Sequence, residues 1–180
     1  VSSFLGKKIE KYAAIDESKI TVIPNTVNDD FRYTEGMRTN KPNTWNALIV
    51  GGLIPIKNIE LAIQSVALLR KKSGLDIYLK IVGKGFLEPN LRQIIADLSV
   101  SKYVELVGAK TTDELSELFN KSHFLLSTSK FETFGVVLIE ALSCGLPVVS
   151  TNSGGPADII CYEYGELVQF EGGLEGIVLN

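Results

Sequence analysis

The chain has 180 residues, with 45% hydrophobic residues, 22% charged residues and a net charge of −3. That length is enough for one domain with a hydrophobic core, and the lack of a basic block argues against nucleic acid as a partner. Two cysteines and one histidine lack metal-ligand spacing, so we expect no metal, reduced thiols and a cytoplasmic location. No apolar run approaches about 18 residues, so we expect no transmembrane helix.

Apolar spacing along the chain predicts strands that alternate with helices. The expected strands are short apolar runs at 20–23, 45–50, 75–82, 103–107, 123–127, 147–150 and 165–168. The expected helices lie at 2–14, 59–72, 89–98, 111–120, 134–143 and 154–160. Asn58 is a candidate N-cap, and Thr111 and Glu114 have the spacing of a capping box.

Strands of about five residues that alternate with helices are typical of a parallel sheet covered on both faces. We therefore predict an α/β fold with a doubly wound, Rossmann-like parallel sheet. Ligands of such sheets bind outside the carboxyl ends of the strands. The loops that follow strands are therefore the candidate sites.

The stretch from His123 to Ile160 carries most of the functional information. Its two carboxylates, Glu132 and Glu140, would lie about 12 Å apart if the chain between them were helical. The amides between them would lie at a helix N-terminus, which is a natural anion site; they belong to Phe134, Gly135 and Val136. This order matches the hexose, pyrophosphate and ribose of a nucleotide sugar. The plain alternative makes Glu132 a solvated loop residue and Glu140 a surface residue.

The run from Phe131 to Thr151, F-E-T-F-G-V-V-L-I-E-A-L-S-C-G-L-P-V-V-S-T, is followed by Gly154 and Gly155. It resembles the signature of retaining family-4 glycosyltransferases (glycosyl transferases group 1) of the GT-B fold, whose hallmark is E-x7-E. The resemblance implies the C-terminal, donor-binding half of such an enzyme. Glu132 would then be the catalytic-site carboxylate that holds a hexose hydroxyl, and Glu140 would bind the ribose. The implied substrate is a UDP-, GDP- or ADP-sugar, with no cofactor.

Gly51, Gly52 and Lys57 follow the first core strand. Glycines let backbone amides approach an anion, and a lysine adds a point charge. The family pattern is G-R-L-x-x-x-K, and its lysine, matched by Lys57, binds the donor pyrophosphate. Gly52 replaces the arginine, which puts donor affinity or the identity of a second cation in doubt. The alternative is a turn with a solvated lysine.

Gly83 and Gly108 follow two later strands. The G-x-G at 83–85 is a weak signal, and Glu88 stands where a dinucleotide fingerprint needs a third glycine, which disfavours a nicotinamide dehydrogenase. The resemblance places Gly83 near the nucleotide and Gly108 near the base. Both positions are equally readable as plain turns. His123, alone beside an apolar run, is interpreted as structural.

The run I-P-N-T-V-N at 23–28 resembles the family's junction between domains. We accordingly predict an N-terminal helix and interdomain junction at 1–19, a nucleotide-sugar-binding domain at 20–170 and a truncated tail at 171–180. The acceptor would bind to an N-terminal domain of the same protein outside these residues. We expect this chain alone to bind donor weakly and to transfer little or nothing.

The resemblance implies transfer of a hexose in polysaccharide, lipopolysaccharide or glycolipid synthesis, with some relatives working peripherally at the inner membrane face. Two alternatives stay open. One is a GT-B nucleotide-sugar epimerase or phosphorylase-like enzyme. The other is a non-catalytic nucleotide-binding module.

Overall fold

The computed structural model describes residues 2–38, 43–160 and 163–169. Its helices are α1 (Ser3–Ala13), α2 (Ile59–Ser73), α3 (Glu88–Asp97), α4 (Thr112–Lys121) and α5 (Val136–Ser143). Its strands are β1 (Thr44–Val50), β2 (Asp76–Val82), β3 (Val104–Gly108), β4 (Phe124–Ser127), β5 (Val148–Thr151) and β6 (Gly165–Val168). Short 3₁₀ helices lie at Glu17–Lys19, Pro55–Lys57 and Gly155–Asp158. None of the described helices is long and apolar enough to cross a bilayer.

The strands form one sheet in the order β3-β2-β1-β4-β5-β6, and every pairing in it is parallel. The strand order reverses direction between β1 and β4, so the chain is wound on both sides of the sheet. The predicted doubly wound, Rossmann-like fold is therefore confirmed. A crevice at the carboxyl ends of β1 and β4 is the usual place for a ligand in such a sheet.

Alternate residues of each strand pack on opposite faces of the sheet. On β1, Ala47 and Ile49 join a buried cluster with α2 and α3, while Leu48 joins a second cluster with α4 and α5. The centre of β1 is therefore shielded on both faces, which explains its apolar run from Ala47 to Val50. One face of β2 is open instead, and its residues alternate between buried and exposed.

The strand expected at 20–23 is wrong, since these residues are described without strand structure. Side chains of Ile20 and Val22 lie against Gly6 of α1, and Ile23 is 72% exposed. A strand needs a neighbour to bond with its backbone, and this segment pairs with none of the six strands. Apolar, β-branched composition alone therefore misled the prediction.

Two helix starts also differ from expectation. α5 begins at Val136 rather than at residue 134, because Gly135 has a φ of 103°, which no right-handed helix contains. The expected helix at 154–160 is the short 3₁₀ helix. Thr111 and Glu114 do form the predicted capping box, whereas Asn58 is left-handed and makes no side-chain cap bond. The predicted tail at 171–180 lies outside the described residues.

Candidate functional site

Glycines at the carboxyl ends of β1, β2 and β3 extend the backbone hydrogen bonding at this edge of the sheet. The Gly51 amide donates to the Val82 carbonyl at 2.9 Å, and the Gly83 amide donates to the Gly108 carbonyl at 2.9 Å. A side chain at Gly83, whose φ is 147°, would put its Cβ 1.9 Å from the Gly51 oxygen. Gly83 therefore permits close packing of two loops, and the nucleotide-binding roles of Gly83 and Gly108 stay predictions.

Lys57 and Glu132 lie 75 residues apart in the sequence, and the fold brings their side chains into contact. The Lys57 ammonium donates to Glu132 Oε2 at 2.6 Å. Their side chains are 27% and 18% exposed, respectively, so the ion pair is partly shielded from water. The two residues predicted to hold the pyrophosphate and the hexose therefore share one crevice.

The position of Lys57 is fixed by the loop that follows β4. The buried hydroxyl of Thr128 donates to the Lys57 carbonyl at 3.1 Å, and the Lys130 amide donates to the Ile56 carbonyl at 2.8 Å. Thr128 was not among the site residues predicted from the sequence. Its one visible signal was a hydroxyl residue directly after a buried strand, at the predicted ligand edge.

The position of Glu132 is fixed by the loop that follows β5. The Glu132 amide donates to the Ser153 carbonyl at 3.0 Å, and its carbonyl accepts from the Gly155 amide at 2.8 Å. A Cβ at Gly155 would lie 2.5 Å from the backbone of Phe134. Gly155 is therefore required for the two loops to touch, which explains the Gly-Gly pair of the sequence.

The amino end of α5 lies beside this ion pair. The first amides of a helix have no carbonyl within the helix to bond with, and they carry a partial positive charge. Val137 of α5 lines the same crevice as Gly51 and Lys57, so this helix end faces it. Glu132 precedes Gly135 and therefore lies outside α5. The separation of about 12 Å predicted between Glu132 and Glu140 assumed a continuous helix between them, and that assumption is wrong.

Glu140 lies on α5 one turn after Val137, half-buried among apolar neighbours. Burial raises the pKa of its carboxyl above the usual 4.5. Within the described chain its carboxylate has no hydrogen bond or ion pair. A partly desolvated, unpartnered carboxylate one helical turn from the crevice is suited to accept hydrogen bonds from a ligand.

Gly52 leaves room for a larger residue. The nearest atom to a Cβ at this position would be a side-chain carbon of Ile54 at 3.7 Å, an ordinary contact, and its φ is not positive. The backbone at this position therefore accepts the Cβ of an arginine, which the resemblance leads us to expect here.

His123 lies at the opposite edge of the sheet. Its Nδ1 accepts from the Asn46 amide at 2.8 Å, and its ring packs edge-on against Trp45. This supports the structural interpretation of His123. Cys144 is buried and free, while Cys161 lies outside the described residues.

Comparison with known proteins places these features in a family. The family model "Glycosyl transferases group 1" matches residues 37–171. The chain is 32% identical over 164 residues to a D-inositol 3-phosphate glycosyltransferase of Pseudarthrobacter chlorophenolicus, a match that covers 86% of this chain and 39% of that protein.

Two solved structures show the same fold. WaaG, a glycosyltransferase involved in lipopolysaccharide biosynthesis, gives a TM-score of 0.82 at 21% identity over 96% of this chain and 49% of its own. The pneumococcal O-GlcNAc transferase GtfA, in complex with UDP and GlcNAc, gives 0.79 at 24% identity over 99% and 37%. The chain thus has the Rossmann-like half of a GT-B fold, and it spans less than half the length of each of these proteins.

Proposed function

Because the chain belongs to the group 1 glycosyl transferases, we propose that it binds the nucleotide-diphosphate sugar for a retaining hexosyltransferase. Lys57 and the first amides of α5 neutralise the charge that develops on the leaving diphosphate. Glu132 accepts a hydrogen bond from a hexose hydroxyl and so orients the anomeric carbon. Glu140 accepts hydrogen bonds from the ribose.

The contact between Lys57 and Glu132 is the observation that carries this proposal. An ammonium group has three donors, and Glu132 occupies one of them, which leaves two for diphosphate oxygens. The ion pair holds both side chains in the crevice before a ligand arrives. Preorganised groups of this kind lose less conformational entropy on binding.

The transfer step needs an acceptor site that we assign to a further domain of the protein. The proposal is supported by length, since the chain covers only 39% of the inositol-phosphate relative and 37% of the GtfA chain. The 180 residues alone should bind donor and transfer little or no hexose. The acceptors we expect are those of polysaccharide, lipopolysaccharide or glycolipid synthesis, and measurable transfer by this chain alone would contradict the division of roles.

Donor binding can be tested with a thermal-shift panel of UDP-, GDP- and ADP-sugars. A ligand that binds only the native state stabilises it, by about 2.7 kcal/mol at a ligand concentration of 100 times Kd, and so raises the temperature midpoint of unfolding. Lys57→Met should weaken binding about tenfold to a hundredfold, because a charge-assisted bond to phosphate is lost. Lys102→Met, at an exposed lysine, is the matched control and should bind as the parent does.

Gly52→Arg provides a gain-of-affinity variant. The position accepts a Cβ without strain, and a guanidinium beside the diphosphate should tighten binding about tenfold. Calorimetry with UDP measures the change, and Gly52→Ala separates the effect of the charge from that of the backbone. The proposed donor site is wrong if no nucleotide sugar binds to the parent chain and neither Gly52→Arg nor Lys57→Met changes that result.

A further inference from the structure

The described side chains of the proposed donor site carry no surplus of positive charge. Lys57 is paired with Glu132 at 2.6 Å, and Glu140 adds a second carboxylate on α5. A diphosphate has more than one negative charge, so a crevice whose cation is already paired would attract it weakly. Either the first amides of α5 supply the remaining attraction alone, or another cation of the chain reaches the same crevice.

Three further lysines follow strands at the carboxyl edge of the sheet. Lys110, after β3, is paired with Glu114 at 3.0 Å. Lys130, after β4, lines a cavity on the side of α1 together with Phe4. Lys84, after β2, is exposed, and its ammonium group has no hydrogen bond or ion pair among the described residues. Of these three lysines, Lys84 is therefore the one available to a ligand at the ends of β1 and β2.

Backbone hydrogen bonds place Lys84 beside Gly52. β1 and β2 are paired in parallel along their whole length, and the pairing continues beyond the strands. The Gly51 amide donates to the Val82 carbonyl at 2.9 Å. The Leu53 amide donates to the Lys84 carbonyl at 3.0 Å. In a parallel pair this pattern sets Gly52, which lies between the two donors, opposite Lys84, and a Cβ at Gly52 would lie 4.0 Å from the Lys84 oxygen.

The same register indicates which side of the sheet Lys84 occupies. Side chains of a strand alternate between the two faces, and register partners on neighbouring strands share a face about 5 Å apart. Leu48 and Val82 belong to the buried cluster that includes Leu138 of α5. In steps of two residues, Gly52 and Lys84 fall on that same side. Because Gly52 has no side chain, the flexible stem of Lys84 has room to bring its ammonium group toward the crevice.

We propose that Lys84 is a second diphosphate-binding residue of the donor site, and that it supplies from the loop after β2 the cation that position 52 lacks. Its ammonium group donates to one diphosphate oxygen, while Lys57 and the first amides of α5 bind others. A lysine at 84 and an arginine at 52 would lie at neighbouring points of one backbone ladder and would serve the same ligand group. The inference rests on the proposed function, because it adds a residue to the same site.

Calorimetric titration of Lys84→Met with UDP, GDP and ADP tests this role. The variant should bind the diphosphate that the parent binds about threefold to tenfold more weakly. The difference should shrink as salt rises, because the ammonium group is exposed to solvent. Lys80→Met is the matched control, since Lys80 is an exposed lysine within β2 itself, and it should bind as the parent does. Equal affinities of the parent and Lys84→Met would overturn the proposal.

Two further variants separate a direct contact from a disturbed fold. Lys84→Arg keeps the charge and should bind within about twofold of the parent. In the Gly52→Arg background, Lys84→Met should weaken binding less than it does alone, because the new guanidinium occupies the neighbouring place. Urea unfolding without ligand should give the same midpoint for the parent and Lys84→Met. An equal loss of affinity in both backgrounds, or a loss of affinity that follows a loss of stability, would overturn the proposal.

The donor proposal and this inference fail in different ways. If none of the three diphosphates binds to the parent chain, the donor proposal is wrong and the role of Lys84 falls with it. If a diphosphate binds and Lys57→Met weakens its binding while Lys84→Met does not, the donor site stands and the assignment of Lys84 is wrong.

Discussion

Single residues show where this chain gives up stability at its candidate site. Glu140 holds a half-buried carboxylate without a hydrogen bond in the described chain, although it could have been an alanine on an apolar helix. Gly52 holds open a position that a cation could occupy. Groups that are costly or unused in the folded chain are expected at functional sites.

Glu140→Gln should stabilise the chain at neutral pH. Burial raises the pKa of Glu140 in the folded state, so the charged form costs stability at every pH above its folded pKa. Below the ordinary value of 4.5, folded and unfolded chains both bind the proton and the cost disappears. The variant should therefore gain up to about 1 kcal/mol at pH 7 and gain little in acid, as measured by urea unfolding at both pH values.

The control is Glu10→Gln, at an exposed glutamate of α1, which should change stability by less than about 0.5 kcal/mol at either pH. The Glu140 variant should also bind UDP more weakly, because a carboxylate accepts stronger hydrogen bonds from ribose than an amide does. A loss of stability at pH 7 would contradict the account of Glu140 as a destabilising group.

At the scale of elements, the site depends on two loops that touch backbone to backbone. The loop after β4 carries Glu132, and the loop after β5 carries Gly155, whose amide bonds to the Glu132 carbonyl. Thr151 at the end of β5 adds a hydrogen bond from its hydroxyl to the Ser129 carbonyl at 2.7 Å. The conformation of the loop that carries Glu132 therefore depends on its contacts with the loop after β5.

Gly155→Ala should separate these two loops. The new Cβ would lie 2.5 Å from the backbone of Phe134, and backbone cannot yield as a flexible side chain can. We expect a loss of about 1–3 kcal/mol in stability, as in overpacked cores, together with weaker UDP binding because Glu132 moves away from Lys57. Urea unfolding and calorimetry measure both effects.

Gly52→Ala is the matched control, because its nearest contact would be 3.7 Å and its φ is not positive. It should stay within about 0.5 kcal/mol of the parent. Unchanged stability and affinity in Gly155→Ala would show that the contact between the loops is not needed.

At the scale of the whole molecule, α1 lies against the sheet domain through a small surface. The ring of Phe4 occupies the space over Gly154, Ser2 donates to the Thr133 carbonyl, and Asp158 accepts from the first amides of α1. An isolated helix of 11 residues is marginal in water, so α1 depends on this contact. The predicted boundary between 1–19 and 20–170 stays a prediction, and Ile20 and Val22, just after it, pack on Gly6 of α1.

Phe4→Ala should release α1 without unfolding the sheet. The variant removes the ring that packs on Gly154 and Phe131, at a local cost of about 1–2 kcal/mol for a half-buried aromatic residue. Hydrogen exchange should then show faster exchange in α1 and unchanged protection in β1 and β4. Tyr12→Ala, at a ring that is 76% exposed on the same helix, should leave the exchange of α1 nearly as it was. Equal loss of protection across the sheet would contradict the predicted boundary.

The sequence by itself determined the fold class, because each buried strand of a parallel sheet is an apolar run and each covering helix has its own period. It also determined the order of the elements at the candidate site and pointed to Lys57, Glu132 and Glu140. Local chemistry carried the prediction of helix α4, as the capping box of Thr111 and Glu114 shows, while the roles of the site residues came largely from the family resemblance.

Only the tertiary structure decided which distant groups meet. The Lys57–Glu132 ion pair, the Thr128–Lys57 hydrogen bond and the Phe4–Phe131 ring contact join residues 71 to 127 positions apart. Such contacts follow from tertiary packing, which sequence periodicity does not encode. The same reason explains the error at 20–23, where β-branched residues found no strand to pair with. A sequence encodes what each segment prefers, while the neighbours that satisfy its backbone and side chains exist only in the folded chain.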